Sequence, residues 1–389
     1  MGERRGMNHT HLKSRNRGLV LQLIAAGRNF SRPEISRHTG LTKMTITNIV
    51  SELMEQGYVT EQDVAVASAV GRKPAILDIA PHAPKAIGLY LSRETVTVIL
   101  TDLKLQVLFS RSKFLQNETA ETLAQKLVEL TELAIRHTED PLLGIGISSI
   151  GPLDPISRTL LAPPNFFGLR TFSPADILEE RFHLPVYIQN DMDAGALAEK
   201  LFGFGQPLDN FLYLGLTNGI GSGLISGGRL YRGGYGYSGE IGHVSIDFAG
   251  PLCNCGNRGC LEMYISMPLI LKQLQEKVTE RITYADFAQL ESLPECHAIF
   301  QDMTEKLATA LVGAINLLNP QHIFIGHEGI WIPDTYLELL EDLINQRILA
   351  SGHEHIMVTR SAFGTQSPLL GSVCSIYHEL FSGHPLRTL

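Results

Sequence analysis

Gly239-Glu240-Ile241-Gly242-His243 is followed, after nine residues, by Cys253-Asn254-Cys255-Gly256-Asn257-Arg258-Gly259-Cys260-Leu261-Glu262. Three of the chain's five cysteines fall inside this second run. Clustered thiols in a chain with no secretory signature favour a metal over disulfides. Three thiolates from Cys253, Cys255 and Cys260 and the imidazole of His243 suit tetrahedral zinc, and four protein ligands leave no open position, so a structural zinc is expected. Gly250, Gly256 and Gly259 allow the backbone to curl around an ion. Cys296 and Cys374 stand alone and read as buried apolar residues.

On either side of this loop lie carboxylates. Glu240 precedes His243, Glu262 follows Cys260, and Asp191 beside Asn190 follows the apolar run Val186–Gln189. Carboxylates and amides accept or bridge sugar hydroxyls, and a rigid metal loop would position His243 and Glu262 for that role. Further apolar runs read as strands at Leu143–Ser148, Phe211–Leu216 and His322–Gly326, with a hairpin over Ile87–Leu100. A helix is expected over Thr119–His137. Strands alternating with helices predict an α/β body. No internal sequence repeat is evident.

The N-terminal 80 residues differ in character. They carry a balance of +4 against −12 for the remainder, a basic head on an acidic body, as a nucleic-acid-binding module would be. Asn16–Gly27 reads as a helix. Ser31 and Glu34 form a capping box for a short second helix, Glu34–His38, with Pro33 in its first turn. Gly40 supplies a tight turn. A third helix starts at Thr42 with Ile46, Ile49, Val50 and Leu53 on one face and stops near Gly57. Its other face carries Lys43, Thr45, Thr47, Asn48 and Ser51, the residue types a recognition helix presents to the major groove. Tyr58–Thr60 and Ala75–Ile79 read as the strands of a wing, with Arg72 and Lys73 placed to reach phosphate or the minor groove.

Hydrophobic residues make up 44% and charged residues 19%, an ordinary globular balance. No apolar run is long enough to span a membrane, and the basic N-terminus lacks a signal-type apolar core, so a cytoplasmic location is expected.

The glycine–glutamate–histidine motif and the cysteine loop resemble the signature of the ROK family of bacterial repressors and sugar kinases, and the resemblance extends over essentially the whole chain. The N-terminal winged helix is similar to that of the repressor branch. The resemblance implies an N-terminal winged helix-turn-helix and an α/β actin-like ATPase (hexokinase/Hsp70-type) two-lobed body with a zinc-binding loop. It implies three parts: residues 1–80, a first lobe over 81–190 with a C-terminal helix 373–389 packing back on it, and a second lobe over 191–372. It further implies a sugar site of Asn165, Asn190, Asp191, Glu240, His243 and Glu262. In the kinases the residue at the Asp191 position is the general base.

This chain departs from the kinases at their phosphate loop. Their Asp-x-Gly-Gly-Thr is replaced by Tyr90-Leu91-Ser92-Arg93-Glu94. Tyr90 replaces the metal-organising Asp, Ser92 and Arg93 replace the glycines, and Glu94 replaces the Thr, so phosphoryl transfer is not expected. The second phosphate loop, Thr217–Gly223, keeps its glycines, His327 stands where a second glycine follows Gly326, and Asp193 stands where the family has Asn. The function expected is a homodimeric or tetrameric repressor of carbohydrate genes, released from a double-stranded operator by a sugar or sugar phosphate. A repressor controlled by a protein partner, such as a phosphotransferase-system component, and an active sugar kinase are the alternatives.

Overall fold

The computed structural model describes residues 9–27, 30–62, 75–164 and 166–384. Contacts divide the chain into two units, residues 1–190 with 372–389, and residues 191–371.

The first unit opens with α1 (His9–Ala25), α2 (Arg32–Thr39) and α3 (Lys43–Glu55), then the antiparallel pair β1 (Val59–Gln62) and β2 (Ile76–Ile79). The α1 helix begins seven residues before the expected Asn16, because its first two turns are polar and show no apolar period. Ser31 starts α2 with the expected box: its backbone N–H and its hydroxyl donate to Glu34 Oε2 at 2.8 and 2.6 Å. Gly40 closes the helix in the left-handed region at φ 70°, which glycine adopts without strain. Thr42 caps α3 by accepting from the Thr45 N–H at 3.2 Å. The apolar face of Ile46, Ile49, Val50 and Leu53 is buried.

The sheet of this unit contains β3 (Lys85–Leu91), β4 (Thr95–Thr101), β5 (Val107–Phe114), β6 (Leu142–Ser149) and, after the small sheet β7 (Leu153–Asp154), β8 (Thr159–Leu161) and β9 (Thr171–Phe172), the last strand β10 (Val186–Asn190). Its order is β10-β6-β3-β4-β5. Helices α4 (Ala120–Ile135) and α5 (Pro174–Phe182) share its core, with Leu123, Leu127, Leu130 and Leu178 against Ile87, Leu89, Ile145 and Ile147. The expected hairpin is therefore a three-stranded meander; β5 is an edge strand exposed at most of its positions.

The second unit begins with α6 (Asp191–Leu201) and β11 (Phe211–Leu216), β12 (Ile220–Ser226) and β13 (Arg229–Tyr231). Then come α7 (Glu262–Ile265), α8 (Met267–Gln275), α9 (Phe287–Leu290), α10 (Pro294–Leu318), β14 (His322–His327), α11 (Asp334–Arg347) and β15 (Met357–Arg360). Sheet order is β13-β12-β11-β14-β15. In each unit a first strand pairs antiparallel with a second, the second antiparallel with a third, and two later strands add in parallel on the other side. The body is thus a topological duplication.

The last helix, α12 (Ser367–Phe381), starts six residues before the expected 373. From Ser372 it belongs to the first unit, where the Tyr377 hydroxyl lies 2.7 Å from Thr101 Oγ1. Its end meets α1: a Cβ at Gly18 would overlap the main-chain oxygen of Phe381. Among the described residues no helix is long and apolar enough to cross a membrane.

Candidate functional site

In the second unit the chain leaves β13 through a glycine-rich loop and turns once at Ile241–His243 before the cysteine loop. Gly242 must be glycine, because a Cβ there would overlap the Ile220 carbonyl. That close approach sets His243 facing the cysteines. One donor atom from each of His243, Cys253, Cys255 and Cys260 lies within 4.8 Å of the others. His243 Nδ1 is the inward nitrogen, 3.7 Å from Cys253 Sγ, and Cys255 and Cys260 sulfurs are 3.6 Å apart. Gly256 and Gly259 turn the loop at φ 92° and 65°.

Burial, then the neighbouring thiols, push Cys260 up to about 12. Burial also raises Cys253, while the Asn257 N–H lowers Cys255. Thiols this close cannot all ionise without a cation between them. The donor set therefore fits a metal ion, with Nδ1 as its histidine ligand.

The carboxylates adjoin this cluster. Glu262, first residue of α7, places Oε1 3.4 Å from Cys253 Sγ and 3.5 Å from His243 Nδ1. A Cβ on Gly219 would lie 3.5 Å from Glu262 Oε2, so the β11–β12 turn abuts the same carboxylate. Glu240 is exposed to solvent, yet the surrounding protein raises its carboxyl, with Glu262 adding repulsion and His243 opposing. Asp191 is buried at the start of α6. Asp193, on the same turn, is half-buried; loss of water pushes its carboxyl up to about 7, Arg232 opposes, and Glu240 adds to the rise. Glu240, Glu262, His243 and Asp193 thus interact electrostatically in one unit. Asn190 ends β10 of the other unit, and Asn165 lies outside the described residues.

The two hairpin turns occupy equivalent places in the duplicated sheets. At β3–β4 the Ser92 hydroxyl sits 3.0 Å from the Thr95 N–H and 3.4 Å from that of Glu94. Arg93 reaches across to donate to the Pro164 carbonyl. The second expected phosphate loop is a turn only over 217–219; Gly221 and Gly223 lie within β12. A Cβ at either would overlap Met192 on α6, so these glycines admit the helix against the sheet. Gly215 is covered by Met192 Sδ and the His327 ring. His327 itself sits at φ 53°, and burial pushes its imidazole down to about 4.

In the head, Lys43, Thr47 and Asn48 are exposed along one face of α3, with Ser51 half-buried one turn on. Thr45 differs: it is half-buried, and its hydroxyl lies 2.9 Å from that of Thr42 in the helix cap. Arg72 and Lys73 lie outside the described residues. Sequence reasoning missed Met44, an apolar side chain 74% exposed on the same face. It also missed Arg32, paired at 3.0 Å with Glu61 of β1.

The xylose repressor of Bacillus spizizenii is 32% identical, over 96% of this chain and 97% of its own. A solved ROK family transcriptional regulator, a homolog of the E. coli MLC protein, superimposes with a TM-score of 0.79 at 27% identity, covering 96% of this chain and 98% of that one. The ROK hexokinase of Thermus thermophilus superimposes with a TM-score of 0.66 at 28% identity, covering 76% of this chain and 98% of that one. The body carries the kinase-type fold that these proteins share. The ROK family profile matches residues 86–378, and the chain belongs to the ROK family.

Proposed function

We propose that this protein is a sugar-responsive transcriptional repressor whose body binds a sugar without phosphorylating it. The observation that carries the reading is the extent of its similarity. Repressors match the chain over head and body together, whereas the hexokinase match ends with about a quarter of the chain unmatched. The head is a winged helix in which α3 enters the major groove with Lys43, Thr47, Asn48 and Ser51, and Met44 meets a thymine methyl. Arg72 and Lys73 of the wing reach the backbone or minor groove.

His243, Cys253, Cys255 and Cys260 would hold zinc, which would lock the loop as a structural ion. With Nδ1 turned to the metal, His243 keeps its proton on Nε2 and donates to a sugar hydroxyl. Asp191, at the start of α6, accepts hydroxyl hydrogen bonds. Glu240 and Glu262 accept others. No phosphoryl transfer follows, because Ser92 Oγ occupies the turn amides that a phosphate would need, and no carboxylate stands at Tyr90 to organise a metal. Sugar binding shifts the protein toward a conformation of low operator affinity.

The test is a thermal-shift screen against monosaccharides, amino sugars and their phosphates, with and without Mg-ATP. A sugar should raise the melting temperature and lose its effect in Glu240→Ala. Sugar-dependent release of ADP from ATP would refute the kinase-dead part of the reading.

A further inference from the structure

We propose that a backbone phosphate of duplex DNA seats in a notch of the head formed by Arg32, Lys43 and Thr47; this rests on the DNA-binding reading above. The notch has a volume of about 310 Å³ and is lined by these three with Pro33, Glu61 and Ala75. Its walls are the first turn of α2, the first half of α3 and the loop end of the β1–β2 pair. Lys43 and Thr47 are one helical turn apart and both exposed, so they share one wall.

Groove geometry supplies the ligand. A helix in the major groove and a wing at the neighbouring minor groove have one sugar–phosphate strand between them. That strand must cross the space between α3 and the hairpin, which is this notch. Its lining is suited to an anion: an ammonium from Lys43, a hydroxyl from Thr47 and a guanidinium from Arg32.

Arg32 is held ready. Its Nη2 lies 3.0 Å from Glu61 Oε1 and 3.7 Å from Met54 Sδ. Its Nε is buried with no hydrogen-bond partner among the described residues. A guanidinium has five donors in a planar fork that fits phosphate oxygens. Glu61 engages one edge and leaves donors over. The terminal N–H groups that Glu61 does not engage are the ones left for a phosphate oxygen.

The experiment measures binding of the full-length protein to a labelled duplex, selected by the protein from a random pool, across a salt series. Arg32→Ala should weaken binding about tenfold or more and flatten the slope of log affinity against log salt by about one unit. Arg181→Ala, on the body, controls for the loss of one positive charge. Arg32→Lys should restore the slope but not the full affinity. Glu61→Gln, which removes the anion beside the phosphate, should tighten binding. A methylphosphonate scan of the duplex on the wild-type protein reads the same contact independently of any folding defect. One neutral linkage per half-site should weaken the wild type and leave Arg32→Ala unaffected. Binding by the wild type with a salt slope unchanged in Arg32→Ala, or no such linkage in the scan, overturns the notch and leaves the repressor reading standing. A wild type that binds no duplex overturns both.

Discussion

His243 Nδ1 lies 3.7 Å from the sulfur of Cys253, turned toward the cysteines. One ring thereby adjoins both the cysteine cluster and Glu262, whose Oε1 lies 3.5 Å from the same nitrogen. Removing the metal should then damage more than stability. With a strong chelator, or in Cys260→Ser, bound zinc should fall from about one equivalent to none. The melting temperature should drop by several degrees or more, and sugar binding should disappear with it. Metal analysis beside a thermal-shift titration reads all three; full metal content in Cys260→Ser would contradict the ligand set.

Asp193 makes stability depend on pH. Its carboxyl is raised by burial from 3.8 to about 7. Between those values the folded chain keeps a proton that the unfolded chain releases, so this residue's contribution is lost as pH rises through the window. Arg232 and partial solvent access moderate the cost. Asp193→Asn should therefore stabilise the protein by about 1–2 kcal/mol above neutrality and make little difference near the ordinary aspartate value. Denaturant midpoints across that range measure it; equal midpoints for both proteins above neutrality would contradict the burial argument.

Glu199 is a buried carboxylate in the middle of α6. It accepts from Ser361 Oγ at 2.6 Å, the Ala362 N–H at 2.7 Å and the Phe204 N–H at 3.0 Å. Glu199→Ala leaves these donors unmet and should cost about 2–4 kcal/mol. Glu199→Gln, which keeps an acceptor, should cost less. A denaturation series that ranks the two variants the other way would show that the carboxylate is not the anchor.

The head meets the body through close backbone approaches as well as the Lys104–Asp78 ion pair, 3.0 Å long. Gly18 of α1 faces the Phe381 carbonyl, and a Cβ on Gly383 would overlap that of Ser14. Gly18→Val should push α1 off the C-terminal helix and destabilise the unit by about 1–3 kcal/mol, with faster hydrogen exchange in both helices. Unchanged exchange would mean that the two helices part without loss.

Much of this architecture was legible because its signals are local. Ser31 with Glu34, Gly40 and the spacing of Ile46, Ile49, Val50 and Leu53 each act within a turn or two. The cysteine loop is equally local. The duplication was not legible, because it preserves strand order and not residues. The edge strand β5 was hidden because neither face is buried and no alternation survives. The glycines Gly221 and Gly223 read as a phosphate loop, yet serve the approach of α6, a contact between segments nearly 30 residues apart in sequence. Glu199 looked like any helical glutamate, since two of its donors, Ser361 and Ala362, come from 162 and 163 residues away. Met44 sits next to the polar stripe of α3, where an apolar residue reads as core until its exposure is seen.

The most direct test of the whole account follows the protein on its own selected duplex by fluorescence anisotropy while sugars are added, with ATP turnover recorded in the same sample. One sugar should release the DNA, Glu240→Ala should stay bound at the same sugar concentration, and no ADP should form. DNA that stays bound with every sugar, or release that requires ATP hydrolysis, would contradict it.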